Sequence, residues 1–265
     1  MDWKAIEEIV HSAGAMLSEG SKNISKEKIH RKQGAANFVT DYDTAIQRYL
    51  IDAFREIAPG ASFYGEEETE GSSHEIKAGY TFYIDPIDGT TNYLFGYDHS
   101  CVSVGIALDG KIVAGFVYNP FRDEMYSAVR GEGSRLNGKR INVRDGGLGD
   151  GIAAFGCARY NCEQTETQFA VVKELFLQSL SIREGGSAAL DLCRIASGAN
   201  MAYFEILLQP YDYAAASIIL EEAGGEIGQG DGSPVSLDAP CMVIAGTKQA
   251  AEEVRQIVRE AERNQ

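Results

Sequence analysis

Positive charge is what this chain has least of. Against 39 Asp and Glu it sets only 24 Lys and Arg, a formal net charge of −15. An acidic surface repels phosphate backbones and anionic lipid, which argues against nucleic acid and membrane as partners. No apolar run approaches the length of a membrane span. Met1-Asp2-Trp3-Lys4 begins an amphipathic segment and lacks the form of a signal peptide. Cytoplasmic location is the resulting expectation. Cysteine is sparse and unpatterned: Cys101, Cys157, Cys162, Cys193 and Cys241 are odd in number and form no C-x-x-C. Free thiols in a reducing compartment fit that pattern. His11, His30, His74 and His99 show no ligand spacing, so a zinc centre lacks its partners. Neither a nucleophile elbow nor an activated Cys or Ser is visible. Internal repeats and low-complexity segments are absent too.

What is present suits a globular protein. The 265 residues, 44% of them apolar, can build one large domain or two close-knit halves around a sizeable core. Trp3, Ile6, Ile9, Val10, Ala13, Met16 and Leu17 recur at helical spacing. Residues 26–37 read as a loop or short hairpin. A helix follows Phe38-Val39-Thr40-Asp41-Tyr42-Asp43, with Asp41 or Asp43 available to cap it. Two alternating runs, Cys101 to Leu108 and Lys111 to Tyr118, meet at Asp109-Gly110 as a hairpin. Glu124 to Val129 and Ser134 to Ile141 read as further strands. The clearest composition break, Arg144 to Gly151, is too short for a flexible linker and marks a seam. It divides the chain into halves, 1–145 and 146–265, packed as one compact unit. Strands and helices alternate beyond it, with Asp212 opening a helix to Glu222, so layers with covered sheets are expected.

One stretch organises the rest: Tyr83-Ile84-Asp85-Pro86-Ile87-Asp88-Gly89-Thr90-Thr91-Asn92. A buried strand runs into two carboxylates three residues apart. Pro86 interrupts regular pairing, and Gly89 lets backbone approach a ligand. Thr90, Thr91 and Asn92 are cap-type residues, so a short helix is expected to begin there with outward N–H groups. Carboxylates for hard cations beside N–H groups for an anion suit a metal-dependent phosphatase.

These residues resemble the first signature of the inositol monophosphatases, within the lithium-sensitive, magnesium-dependent phosphatase superfamily. Gly65-Glu66-Glu67 resembles the family's metal-binding glutamate segment. Tyr211-Asp212-Tyr213-Ala214-Ala215, followed by Glu221, Ala223, Gly224 and Gly225, resembles its second signature. The resemblance runs from about Lys32 to Gly225. It implies a layered α/β fold: a five-layer α-β-α-β-α sandwich, with a mostly antiparallel first sheet and a mixed second one. It also implies two or three Mg²⁺ ions. Glu66, Asp85 and the Ile87 carbonyl would hold one; Asp85, Asp88 and Asp212 would hold a second; a weaker third would sit on Glu66. Water would be the nucleophile, assisted by Thr90, Asp43 and Glu66, with the Gly89 and Thr90 N–H groups and Asp88 around the phosphate. Gly186, Ser187, Ala188 and Glu205 match the polyol side, while Arg183 and Lys32 are further candidates near it.

The implied reaction is hydrolysis of a phosphate monoester, with a small phosphorylated polyol such as myo-inositol monophosphate as substrate and a homodimer as the assembly. Fructose-1,6-bisphosphatase and 3′(2′),5′-bisphosphate nucleotidase activities belong to the same superfamily, and a non-catalytic regulatory module is the reading from another class. Thr91-Asn92 favours the inositol monophosphatases, since the nucleotidases usually carry Lys-Glu there. The visible departures are Tyr211 in place of the usual Trp, Gln209-Pro210 before it, and Glu68 where Ser or Thr is common.

Overall fold

The computed structural model describes residues 1–22, 29–31, 38–73, 78–157 and 163–263, with residues 29–31, 38 and 39 described as backbone only. Lys32 and Cys162 lie outside them. Two sheets organise the described residues. The first has seven strands in chain order: β3 (Ser62–Gly65), β4 (Tyr80–Asp88), β5 (Cys101–Leu108), β6 (Lys111–Asn119), β7 (Glu124–Val129), β8 (Gly133–Leu136) and β9 (Lys139–Arg140). Only β3 and β4 are parallel neighbours in it. The second orders β11 (Ser181–Glu184), β10 (Ile152–Phe155), β12 (Ala202–Leu208), β14 (Cys241–Gly246) and β13 (Glu226–Gly228), mixing parallel and antiparallel pairs. Short strands β1 (Ile29–Arg31) and β2 (Phe38–Thr40) pair antiparallel.

Helices fill the remaining three layers. Helices α1 (Trp3–Ser21) and α2 (Asp41–Ile57) cover one face of the first sheet. Ile6, Val10, Ala13 and Leu17 of α1 and Ile46, Leu50 and Phe54 of α2 pack there against Phe82, Ile84, Val102 and Val104. Between the sheets lie α5 (Ala188–Ala196) and α6 (Pro210–Glu222). Helices α4 (Thr165–Gln178) and α7 (Lys248–Arg263) cover the outer face of the second sheet through Val171, Leu175, Val254 and Ile257. The short α3 (Thr90–Phe95) leaves the end of β4. The order is helices, sheet, helices, sheet, helices, which is the five-layer sandwich. Among the described residues, no helix is long and apolar enough to cross a membrane.

Helix α6 can enter the middle layer because the sheet beneath it lacks side chains. Gly105 of β5 pairs with Gly115 of β6, and Gly115 with Ala128 of β7. A Cβ at Gly105 would lie 2.7 Å from Ala214 Cβ and from Ala215 N, and one at Gly115 would overlap Ala215 O. The two glycines form a groove that receives the α6 backbone. This seating is what brings Asp212, on the first turn of α6, down to the first sheet.

Two local readings need correction. Residues 134–141 do not form one strand: Asn137 and Gly138, at φ 49° and 74°, make a tight turn that splits it into β8 and β9. The left-handed pair is what a two-residue hairpin loop requires. The helix at Asp212 starts two residues earlier, at Pro210, a residue preset for a first helical turn.

Gly115→Ala forces a methyl against the α6 backbone, where no flexible side chain can yield. It is expected to destabilise the protein by about 1–3 kcal/mol. Urea unfolding of wild type and variant checks this, and an unchanged midpoint would mean that α6 is not seated by the groove.

Candidate active site

Asp85 and Asp88 sit three residues apart, and on a regular strand that spacing puts them on opposite faces. A register shift against β5 between Asp85 and Asp88 changes the parity. Ile84 and Ile87, also three apart, both pack on the helical-layer side. Both aspartates are thereby directed to the middle layer, where α5 and α6 lie. Pro86 occupies the irregularity, a position where a missing N–H costs no ladder bond. The Asp85 Oδ1 accepts from Ile87 N–H at 3.0 Å, which fixes the turn around the proline.

Each of the four aspartates at this site has one oxygen held by a backbone N–H. Asp43 Oδ2 accepts from Thr40 N–H at 2.7 Å and from Thr40 Oγ1 at 2.6 Å, completing a capping box on α2. Thr40, not an aspartate, is the N-cap, and Asp43 Oδ1 stays buried with no hydrogen-bond partner. Asp88 Oδ2 accepts from Ser187 Oγ at 2.6 Å and Ala189 N–H at 2.8 Å, across the seam at the start of α5. The Cys101 thiol lies 3.7 Å from the same oxygen. Asp212 sits at the third position of α6 and reaches back to Gln209 N–H at 2.7 Å. It is not the N-cap of its helix.

The remaining oxygens crowd together. One carboxylate oxygen from each of Asp43, Glu66 and Glu67 lies within 4.8 Å of the others. The Asp85 carboxyl is within hydrogen-bonding reach of Glu66 and is repelled by Glu66, Asp88 and Asp212. Burial, then these neighbours, holds Asp85 well above the usual carboxylate range. Asp212 is raised by burial, then by Asp88. Burial lifts Asp88 to about 6 and Asp43 to about 7. Glu205, buried on β12, is lifted to about 8 by burial, with Asp88 and Asp191 adding to it. Such a set, all oxygen donors, fits hard divalent cations, whose charge would replace the protons that burial now favours.

The Ile87 carbonyl also faces this region and accepts from Thr90 Oγ1 at 3.1 Å. Gly89 adopts φ +86°, and a Cβ there would meet His99 O at 2.9 Å and Gly186 O at 3.0 Å. The N–H groups of Gly89 and Thr90 carry no hydrogen bond among the described residues. Helix α3 is only six residues long, so it offers these N–H groups without the macrodipole of a longer helix. Asn92 ties the turn to the segment before α5, donating to His99 O and Gly185 O at 2.8 Å each.

Some expectations fare differently. Arg183 is exposed, and its guanidinium bonds Ser181 Oγ and Ile182 O on its own strand instead of approaching the acids. The edge position of β11 leaves its side chain facing water. Ser187 is spent on Asp88, while Gly186 is exposed beside it and Ala188 buried. Glu68 is exposed. Residues not singled out beforehand also belong here. Glu67 is buried, and Gln47 clamps it by accepting from its N–H at 3.0 Å and donating to its carbonyl at 2.6 Å. Gln47 lies four residues after Asp43 on one helix face, a spacing legible beforehand. A further pair, Nε2 of the half-buried His99 and Oδ1 of the buried Asp191 at 3.4 Å, borders Asp88.

Carboxylates gathered from β4, α6 and the end of β3, with backbone N–H groups beside them, fit the class of cation-assisted enzymes acting on anionic esters. Comparison with known proteins narrows this. The inositol monophosphatase family profile matches residues 3–263. The chain is 35% identical over 197 residues to Nus factor SuhB of Escherichia coli, covering 73% of this chain and 72% of that one. It is 34% identical over 237 residues to inositol monophosphatase 2 of Solanum lycopersicum, covering 88% of each. Among solved structures, an IMPase of Thermotoga maritima superposes with a TM-score of 0.87 at 25% identity, covering 99% of this chain and 98% of that one. The chain belongs to the inositol monophosphatase family, a family of metal-binding phosphatases.

Raised carboxyl affinities make the metal-free protein pH-sensitive in a defined direction. Unfolded Asp and Glu release their protons near pH 4. The folded protein retains protons on Asp88, Asp43 and Glu205 up to about 6, 7 and 8. Where the folded state binds more protons, stability falls as pH rises. In EDTA the melting temperature should therefore drop between pH 5 and 8, and millimolar Mg²⁺ should restore more of it at pH 8 than at pH 5.5. Thermal unfolding followed by circular dichroism checks both. A flat profile, or equal shifts at both pH values, would contradict the buried-carboxylate account.

Proposed function

We propose that the protein hydrolyses a phosphate monoester of a polyol, with myo-inositol monophosphate as substrate and Mg²⁺ as cofactor. The observation that carries this is the repulsion that the buried Asp85 feels from Glu66 at the end of β3, Asp88 on β4 and Asp212 on α6. Glu66, Asp85 and the Ile87 carbonyl would hold one ion, and Asp85, Asp88 and Asp212 another. When bound, such ions neutralise the phosphate charge, lower the pKa of water and stabilise the leaving oxygen.

The chain's own groups supply the remainder. The Gly89 and Thr90 N–H groups bind phosphate oxygens. Asp43 Oδ1, buried and without a hydrogen-bond partner, accepts a proton from the attacking water. The Thr90 hydroxyl, which bonds the Ile87 carbonyl, orients that water. Glu205 faces Asp88 and Asp212 from β12 and contacts a polyol hydroxyl. The close match in length to the tomato inositol monophosphatase supports the substrate class. A shared superfamily leaves fructose 1,6-bisphosphate and 3′-phosphoadenosine 5′-phosphate as the competitors.

Phosphate release from these three substrates at matched concentrations, with and without Mg²⁺, tests the reading. Inositol 1-phosphate should lead, and chelation should abolish release. A lead for either bisphosphate would overturn the substrate while keeping the metal mechanism. Asp88→Asn keeps an acceptor for Ser187 and Ala189 but removes a charge. It should lose several kcal/mol of transition-state stabilisation, roughly a thousandfold in kcat, with its circular dichroism unchanged. Near-wild-type turnover would remove Asp88 from the metal site.

A further inference from the structure

Glu205 occupies an unusual setting. It projects from the central strand β12 on the same face as Tyr203, two residues earlier, and both are buried in the middle layer. The Tyr203 hydroxyl donates to Glu205 Oε2, and among the described residues no other hydrogen bond reaches Glu205. Regular pairing with β14 breaks down between Glu205 and Leu208, so Glu205 stands where the strand stops being a ladder and turns towards α6. The pair has room because residue 156, beside it, is glycine. A Cβ at Gly156 would overlap Glu205 Oε2 and lie 2.6 Å from the Tyr203 oxygen. Gly156 is itself pinned: its N–H donates to Phe204 O at 3.0 Å, and its carbonyl accepts from the buried Gln168.

We propose that Tyr203 is a positioning residue that sets substrate preference, locking Oε2 of Glu205 so that Oε1 is presented to a hydroxyl of the substrate alcohol, with Gly156 providing the space. The proposal rests on the polyol-phosphatase reading above. A glutamate carboxyl on three free torsions points one oxygen at a ligand only if the other is tied down, and a preorganised partner contributes most where the ligand hydroxyl would otherwise be satisfied by water. Tyr203 can fill this role at all working pH values, because burial and the neighbouring Glu205 hold its phenol protonated. It touches none of the four aspartates by hydrogen bond, so its influence is confined to the alcohol side of the ester.

Two substrates separate a positioning role from general damage: inositol 1-phosphate, which has ring hydroxyls, and p-nitrophenyl phosphate, which has none. Tyr203→Phe should raise KM for inositol 1-phosphate roughly tenfold with kcat within about twofold, the loss expected for one oriented hydrogen bond. Its kcat/KM for p-nitrophenyl phosphate should stay within about twofold of wild type. Gly156→Ala, which pushes the Glu205 carboxyl aside without altering its chemistry, should reproduce the same split more strongly. Equal losses on both substrates, or no change on either, would overturn the proposal. If wild type itself shows no preference for inositol 1-phosphate over the aryl ester, the polyol reading fails first, and that outcome is distinct from a normal wild type with an unaffected Tyr203→Phe.

Discussion

Like charges dislike one another most where water cannot screen them, and this molecule gathers its acids in such a place. Asp43, Asp85, Asp88 and Asp212 are buried or nearly so, and burial raises the proton affinity of each, with Glu66 adding repulsion at Asp43, Asp85 and Asp212 and Asp191 at Asp88. The fold resists the repulsion by a repeated device. A backbone N–H holds one oxygen of each aspartate, and those N–H groups come from the segment of Thr40, the turn at Ile87, the first turn of α5 and the start of α6. The carboxylates cannot swing away without breaking a charge-assisted hydrogen bond, the stronger kind. Their destabilisation is thus stored as a demand for cations.

Everything else in the fold serves to keep those segments in register. Helix α6 comes close enough because Gly105 and Gly115 vacate the sheet surface beneath it. Helix α5 is docked by the very carboxylate it caps, since Asp88 bonds Ser187 and Ala189 from a strand about a hundred residues earlier in the chain. Asn92 repeats the link on the other side, joining the turn after β4 to Gly185. The end of β4 is accordingly joined to the start of α5 by the same residues that build the site.

Much of this was legible in the sequence, for reasons tied to particular residues. The alternation of β5 and β6 around Asp109-Gly110, the helical spacing from Trp3 to Leu17, and three acidic motifs in order carried the layers and the main carboxylates. The parts that were not legible depend on long-range contacts. The resemblance set Glu67 apart from Glu68, but the reason is a long-range contact: Gln47 clamps the first and leaves the second in water. Ser187 read as a substrate contact because its bond to Asp88 crosses 99 residues. Arg183, a candidate near the pocket, is turned to water only by the edge position of β11, which the sequence does not reveal. The link from Tyr203 to Glu205 likewise shows only once Gly156 is seen beside them.

The irregular step at Pro86 carries one more implication. A strand counts its residues modulo two, and this one contains a single deliberate miscount between Asp85 and Asp88. Any insertion or deletion of one residue between Tyr83 and Asp88 would swap inside for outside and turn a carboxylate into the apolar layer of α1 and α2, whereas changes in steps of two would preserve the sense. Length variation in this segment is therefore quantised in pairs, so an alignment of related chains that shows a lone gap there would mark a protein whose chemistry had already changed.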